Sequence, residues 1–113
     1  MLVMRLAVWM FIAGVMVISA GKSLSQDYPN KPIHIVTAPT GGSSDFDSRQ
    51  IAQGISGPLG QPVIVENRVP ILAIEAVSKA PPDGYTLLVG GASIWILPLL
   101  QKTPYEVADF SPI

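Results

Sequence analysis

The sequence predicts an α/β fold, a partial three-layer βαβαβ sandwich around a parallel sheet, preceded by a signal helix. Two observations lead there. Three short runs of β-branched and apolar residues, IHIVTA, PVIVEN and YTLLV, are bounded by proline and glycine and carry no strict polar alternation, as expected for strands covered on both faces. Between them lie two segments with apolar residues at helical spacing. Right-handed crossovers between parallel strands then place the first strand at the centre.

The chain opens with a targeting segment. Arg5 precedes the uncharged, mostly apolar stretch from Leu6 to Gly21, and the polar run Lys22 to Asp27 follows it, which is the order of a secretory signal peptide. Ser23 and Ser25 fit the small-residue positions before a cleavage point, so residues 1–25 are expected to be removed after Ser25, with Ala20 as a less favoured edge. The other reading is an uncleaved membrane anchor, for which about 16 apolar residues fall short of the roughly 20 a spanning helix needs.

Residues 26–113 are expected to form the N-terminal part of a truncated domain. Tyr28-Pro29-Asn30-Lys31-Pro32 is an extended, proline-punctuated arm. It delivers the chain to a strand over Ile33–Ala38, ended by Pro39 and Gly41-Gly42. Ser44 is expected to cap a helix starting at Asp45, with Asp45 and Asp47 complementing its dipole and Ile51, Ala52, Ile55 and Leu59 as its apolar stripe. Gly57, Pro58 and Gly60 are expected to close it. A second strand follows over Pro62–Asn67. The second helix covers Ile71–Ala80, with Ile74 and Val77 inward and Glu75 and Lys79 outward. The turn Pro81-Pro82-Asp83-Gly84 leads to a third strand over Tyr85–Val89, and Trp95 to Leu100 is an apolar segment, helical up to Pro98, before the connector TPYEVADFSPI.

Removing Arg5 and Lys22 leaves five basic against eight acidic residues, a formal charge of −3, which argues against a nucleic-acid partner. The absence of cysteine excludes disulfides, thiolate metal sites, a cysteine nucleophile and a lipidated cysteine anchor.

Ligands of open α/β sheets bind beyond the carboxyl ends of the strands, beside the central strand. Here two loops qualify: Thr40, Gly41, Gly42, Ser43, Ser44 and Asp45 after the first strand, and Gly90, Gly91, Ala92 and Ser93 after the third. Glycines let a ligand approach the backbone, and free N–H groups at a helix start favour an anion. A carboxylate held by the amides of Gly42, Ser43 and Ser44, with hydroxyl help from Thr40, Ser43 or Ser93, is one reading. A tight strand-to-helix turn with no ligand is the other.

Sharper chemistry is missing. The sequence has no G-x-x-x-x-G-K-[ST], G-x-G-x-x-G or G-x-S-x-G motif. Its lone histidine, His34, lies inside the first strand, where a structural role is expected. Asp45 and Asp47 lack a third ligand for a metal, and Trp95 and Tyr105 are expected to pack in the core rather than stack on a ligand. No acid, base and nucleophile set can be assembled, the Ser43-Ser44-Asp45 cluster lacks a base, and neither an enzyme nor a cofactor is expected.

The residues YPNKPIHIVTAPTGGSSDFDSRQIAQGISGPLGQPVIVENR, then AVSKAPPDGYTLLVGG and TPYEVADFSPI, resemble the Bug/TctC-type periplasmic receptors of tripartite tricarboxylate transporters. The resemblance covers nearly all of the chain after the signal. It implies the N-terminal part of domain 1 of a two-domain periplasmic-binding-protein-like fold. It also implies a periplasmic receptor that captures a small organic acid and passes it to membrane permease subunits, with the two glycine loops contributing to carboxylate capture.

Two departures accompany it. Where the family has a glycine-rich stretch after Glu66-Asn67-Arg68, this chain has Val69-Pro70-Ile71-Leu72-Ala73, with less backbone freedom beside the cleft. Family members are also much longer, so the sequence is expected to be a fragment holding one wall of the cleft. The alternative is a membrane-anchored interaction protein derived from such a receptor that holds no solute. The mature N-terminus separates the two: N-terminal sequencing of exported protein is expected to read from Gln26, and a product still starting at Met1 in the membrane would exclude cleavage.

Overall fold

Strands and helices alternate through the chain as β1 (Ile33–Thr37), α1 (Ser43–Leu59), β2 (Val63–Asn67), α2 (Pro70–Ser78), β3 (Thr86–Val89) and α3 (Ser93–Leu100). A 3-10 turn at Val107–Asp109 follows. The computed structural model describes Met1, Val3, Met4 and residues 27–113; the apolar run from Leu6 and the expected cleavage point lie outside the described residues.

The sheet is parallel with the order β2-β1-β3, so β1 is central, as the handedness of the crossovers requires. Crossing from β1 to β2 and then back over β1 to β3 with the same hand puts α1 and α2 on opposite faces. Burial of β1 agrees. Ile33, Ile35 and Thr37 on one face and Val36 on the other are all sealed from solvent. These are the three layers.

Element ends differ from the sequence-based expectation for local reasons. Ala38 leaves the ladder because Thr37 O already accepts the Arg68 N–H at 2.9 Å, while Ala38 O takes the Asn67 side-chain amide at 2.8 Å. Pro62 has no N–H and gives β1 only its carbonyl, which Ile33 N–H reaches at 3.0 Å. Tyr85 likewise offers only its carbonyl, to His34 N–H at 2.8 Å, and β3 starts one residue later than expected.

Helix α1 departs most. It begins at Ser43 with Gly42 as N-cap and no side-chain cap, so Ser44 is inside the helix. It also runs through Gly57 and Pro58, which were expected to end it, and stops at Gly60, whose φ of 67° is the left-handed cap. Its buried stripe is Asp45, Ser48 and Ala52; Ile51 is exposed. The inward positions follow the helical period, but polar residues occupy the first two. Ser48 is tolerated there because its hydroxyl donates to Ser44 O at 2.6 Å.

Helix α2 begins at Pro70, where a missing N–H costs no intrahelical bond, and ends at Ser78, short of the expected Ala80. Ile74 is buried beside Ala73, Val77 is half-buried, and exposed Lys79 pairs with Glu75. Helix α3 passes through Pro98, two residues beyond the expected stop. Trp95 on it is 59% exposed, which corrects the expectation of core packing. Tyr105 does pack in the core: it is buried, its ring lies edge-on to Phe110, and its hydroxyl donates to Ile94 O at 3.2 Å.

The proline arm is stitched to the turn before β3. The Tyr28 ring lies 4.9 Å from that of Tyr85, its hydroxyl donates to Gly84 O at 2.6 Å, and Lys31 Nζ sits 4.4 Å above the Tyr85 ring. Gly84 has φ 81°, and a Cβ there would lie 2.9 Å from the Tyr28 hydroxyl oxygen. Gly84→Ala is therefore expected to destabilise the fold by about 1–3 kcal/mol, through positive-φ strain and displacement of Tyr28. Urea denaturation measures it, and an unchanged midpoint would show the arm to be unattached.

Candidate functional site

The carboxyl ends of β1 and β3 and the leading ends of all three helices meet around one open cleft of about 130 Å³. Of the residues singled out in the sequence, Ser44, Gly90, Gly91 and Ser93 line it. Thr40, Gly41, Gly42 and Ser43 are exposed on the adjoining rim, and Ala92, also exposed, is the N-cap of α3. Ser93 is the first residue of α3 rather than part of a loop, and its carbonyl faces the Tyr105 hydroxyl at 3.4 Å.

The rest of the lining was not singled out in the sequence. Pro70, Ala73 and Ile74 on α2 form one apolar side, with Ala38, Leu88, Val89 and Ile94 completing it. Val69 is the N-cap of α2 and Pro70 its first residue, so the apolar first turns of that helix reach the cleft. Among the described residues, no charged side chain lines the cleft.

The approach of α1 gives the site its polarity. The first intrahelical bond runs from Phe46 N–H to Gly42 O at 3.1 Å, so the amides of Ser43, Ser44 and Asp45 precede the helical ladder. Together with the helix dipole they make a positive end. Gly41 supplies the reversal before it with φ 94°, whereas Gly42 is extended at φ −86°.

Asp45 is not among the residues lining this cleft. One carboxylate oxygen accepts the Gly41 N–H at 3.0 Å, and the other accepts Asn67 Nδ2 at 2.8 Å and Arg49 Nε at 3.1 Å. Asn67 Nδ2 also reaches Ala38 O at 2.8 Å, and Arg49 Nη2 donates to Asn67 Oδ1 at 3.1 Å. The Gly41 hydrogen bond chiefly, then those from Asn67 and Arg49, hold the Asp45 carboxyl below the usual carboxylate range against the opposing effect of burial.

His34 stands apart from the cleft. Its Nδ1 lies 2.7 Å from Glu66 Oε1 across the β1–β2 pair, and this contact, with Arg68 second, lowers the Glu66 pKa. The structural role expected for His34 matches its position. Among the described residues, no group of three or more His, Cys, Asp or Glu side chains is placed to hold a metal ion.

Comparison with known proteins agrees with this architecture. A family model described as tripartite tricarboxylate transporter family receptor matches residues 48–113. Protein BugT of Bordetella pertussis is 37% identical over 108 residues, covering 87% of this chain and 33% of its own length. A periplasmic transporter of known structure aligns with a TM-score of 0.65 at 33% identity, over 71% of this chain and 29% of that one. An R. palustris protein solved with adipate aligns at 0.64 and 28% identity, over 73% and 29%. The chain spans about a third of the length of the curated relatives it matches.

The depressed Asp45 pKa has a stability consequence. Its unfolded value is near 3.8 and its folded value lies below that, so the stabilisation is fully present above pH 3.8 and is lost as pH falls through the folded value. Asp45→Asn is expected to lower stability at neutral pH and to flatten the fall of the urea midpoint below pH 4, leaving the acid limb from Glu66. An acid limb as steep as that of the unsubstituted chain would show that the Asp45 contacts do not persist in solution.

Proposed function

The chain belongs to the tripartite tricarboxylate transporter receptor family, and on that premise we propose that it forms one wall of an extracytoplasmic solute-binding site for a small organic carboxylate. The observation that carries this reading is the convergence of Ser44, Gly90, Gly91 and Ser93 on a cleft at the carboxyl ends of β1 and β3, beside the leading amides of α1. An anion is suited to that end of the helix because backbone N–H groups and the dipole both favour negative charge. The carboxylate is held by the amides of Gly42, Ser43 and Ser44, with hydroxyls of Thr40, Ser43 or Ser93 adding donors. Gly41, Gly90, Gly91 and Ala92 shape the backbone around it, and Asp45 serves the site from behind.

The action is binding without catalysis. The lining contains no acid, base or activated nucleophile, and the matched family is one of receptors. The solute is taken up in the periplasm, after removal of residues 1–25, and handed to membrane permease subunits. Adipate in the R. palustris relative supports a carboxylate as the ligand class.

Gly42→Val tests the site. Gly42 has an ordinary extended backbone, and a Cβ there meets nothing closer than Pro39 O at 3.7 Å, so a Cβ is accommodated. It places a branched group where the carboxylate approaches the amides. Titration of the ¹⁵N-labelled chain with adipate is expected to shift the amides of Gly42, Ser43 and Ser44, and Gly42→Val to weaken binding at least about tenfold while costing no more stability in urea than the loss of a favoured N-cap residue, about 1 kcal/mol. Equal affinity in the two proteins would reduce the loop to a turn.

A further inference from the structure

Arg49 and Asn67 are not in the cleft lining, but Asn67 holds the carbonyl of Ala38, which is, and both bond the Asp45 carboxylate at the start of α1. Three facts on opposite sides of the loop converge on Asp45. Its carboxylate closes back on Gly41, fixing the residue whose positive φ aims the chain into the helix. Asn67, last residue of β2 and register partner of Thr37, uses one side-chain amide to hold both Ala38 O and the Asp45 carboxylate. Arg49, one turn further along α1, contributes two nitrogens in a fork, one to Asp45 and one to Asn67.

The electrostatic arrangement needs explaining. An anion-accepting helix end that already carries a buried carboxylate in its first turn would repel a second negative charge. Here the Asp45 charge is met at 3.1 Å by Arg49 and its oxygens are occupied by three donors. The carboxylate is thereby spent on the loop, and the amides of Gly42, Ser43 and Ser44 stay free.

We infer that Asn67 and Arg49 are positioning residues for the anion site: Asn67 fixes the loop between β1 and α1, and Arg49 cancels the Asp45 charge so that a ligand carboxylate is accepted beside it. The inference rests on the carboxylate-receptor reading. Arg49→Lys keeps the charge without the fork, Arg49→Met removes both, and Asn67→Ala removes the bridge.

The experiment has two readouts on the ¹⁵N-labelled chain. One is adipate affinity at low and high sodium chloride, and the other, taken without ligand, is hydrogen exchange at the Gly41 amide. Arg49→Met is expected to bind adipate about tenfold more weakly at low salt, with the deficit shrinking as salt screens the repulsion between Asp45 and a ligand at the open cleft, and Arg49→Lys to recover part of it. A side chain that only stabilised the fold would leave that salt dependence unchanged. Asn67→Ala is expected to speed exchange at Gly41 and to weaken adipate at all salt concentrations. Normal adipate binding by Arg49→Met and Asn67→Ala, when the parent chain binds, overturns the positioning role and leaves the receptor reading standing. No adipate-induced shift in the parent chain overturns the receptor reading, and Gly41 exchange still decides the bridge: an amide equally protected in Asn67→Ala overturns that too.

Discussion

Strand β1 is hydrogen-bonded along both edges and covered on both faces, and the rest of the fold is arranged by that constraint. A strand with no free edge and no free face has to be apolar or internally satisfied at nearly every position. Ile33, Ile35 and Val36 meet the first condition. Thr37, fully buried, meets the second by donating its hydroxyl to Val89 O at 2.8 Å, which ties the end of β1 to the end of β3. Because both neighbours are parallel to β1, all three strands end on the same side. The loops that leave them are thereby neighbours, although the residues of the β1 and β3 loops are far apart in sequence.

From there the site follows by connection rather than by special chemistry. Parallel strands need helical crossovers, and a helix entering from the carboxyl end of a strand brings its unsatisfied amides to that end. The second crossover passes over β1 on the other face and adds the first turns of α2. The cleft is therefore polar where α1 begins and apolar where α2 begins, a division set by topology. Side-chain identity then decides its quality. Pro70 starts α2 without losing an intrahelical bond, and Ala73 and Ile74 behind it present only carbon to the cleft.

The three strands, their order and the two covering helices were readable in the sequence because fully buried parallel strands leave unbroken apolar runs and crossovers have one hand. Helix ends were less readable. Ser44 followed by acidic residues looks like a cap, but the Asp45 side chain reaches back to Gly41 and shifts the start of α1 to Ser43. Pro58 looks like a stop, yet it falls in the final turn of α1. Trp95 shows a different limit: apolar neighbours suggested burial, but on α3 they are exposed with it, since Ile96, Leu99 and Leu100 are all open to solvent. Composition measures how apolar a segment is and not which of its faces is covered. The cleft was half legible for the same reason, its polar loops carrying glycine and serine signals while the α2 side depends on where a helix starts.

Asp45 joins these strands of argument. In sequence it belongs with the binding loop, and it reads as a dipole partner or a ligand contact, with no third ligand beside it for a metal. Its side-chain partners are Asn67 and Arg49, one 22 residues away and one a single turn along. Both carboxylate oxygens are engaged within the protein, which turns the most chemically distinctive residue of the loop into a fastening between α1, β1 and β2. On the proposed receptor reading, the groups left to meet a solute are backbone amides and small hydroxyls. A wall of that kind carries little formal charge of its own and recognises an anion through fixed dipoles, whose direction depends on how firmly the loop is held. Rigidity of the loop and affinity for an anion thus become one property, resting on hydrogen bonds that a bound carboxylate never touches.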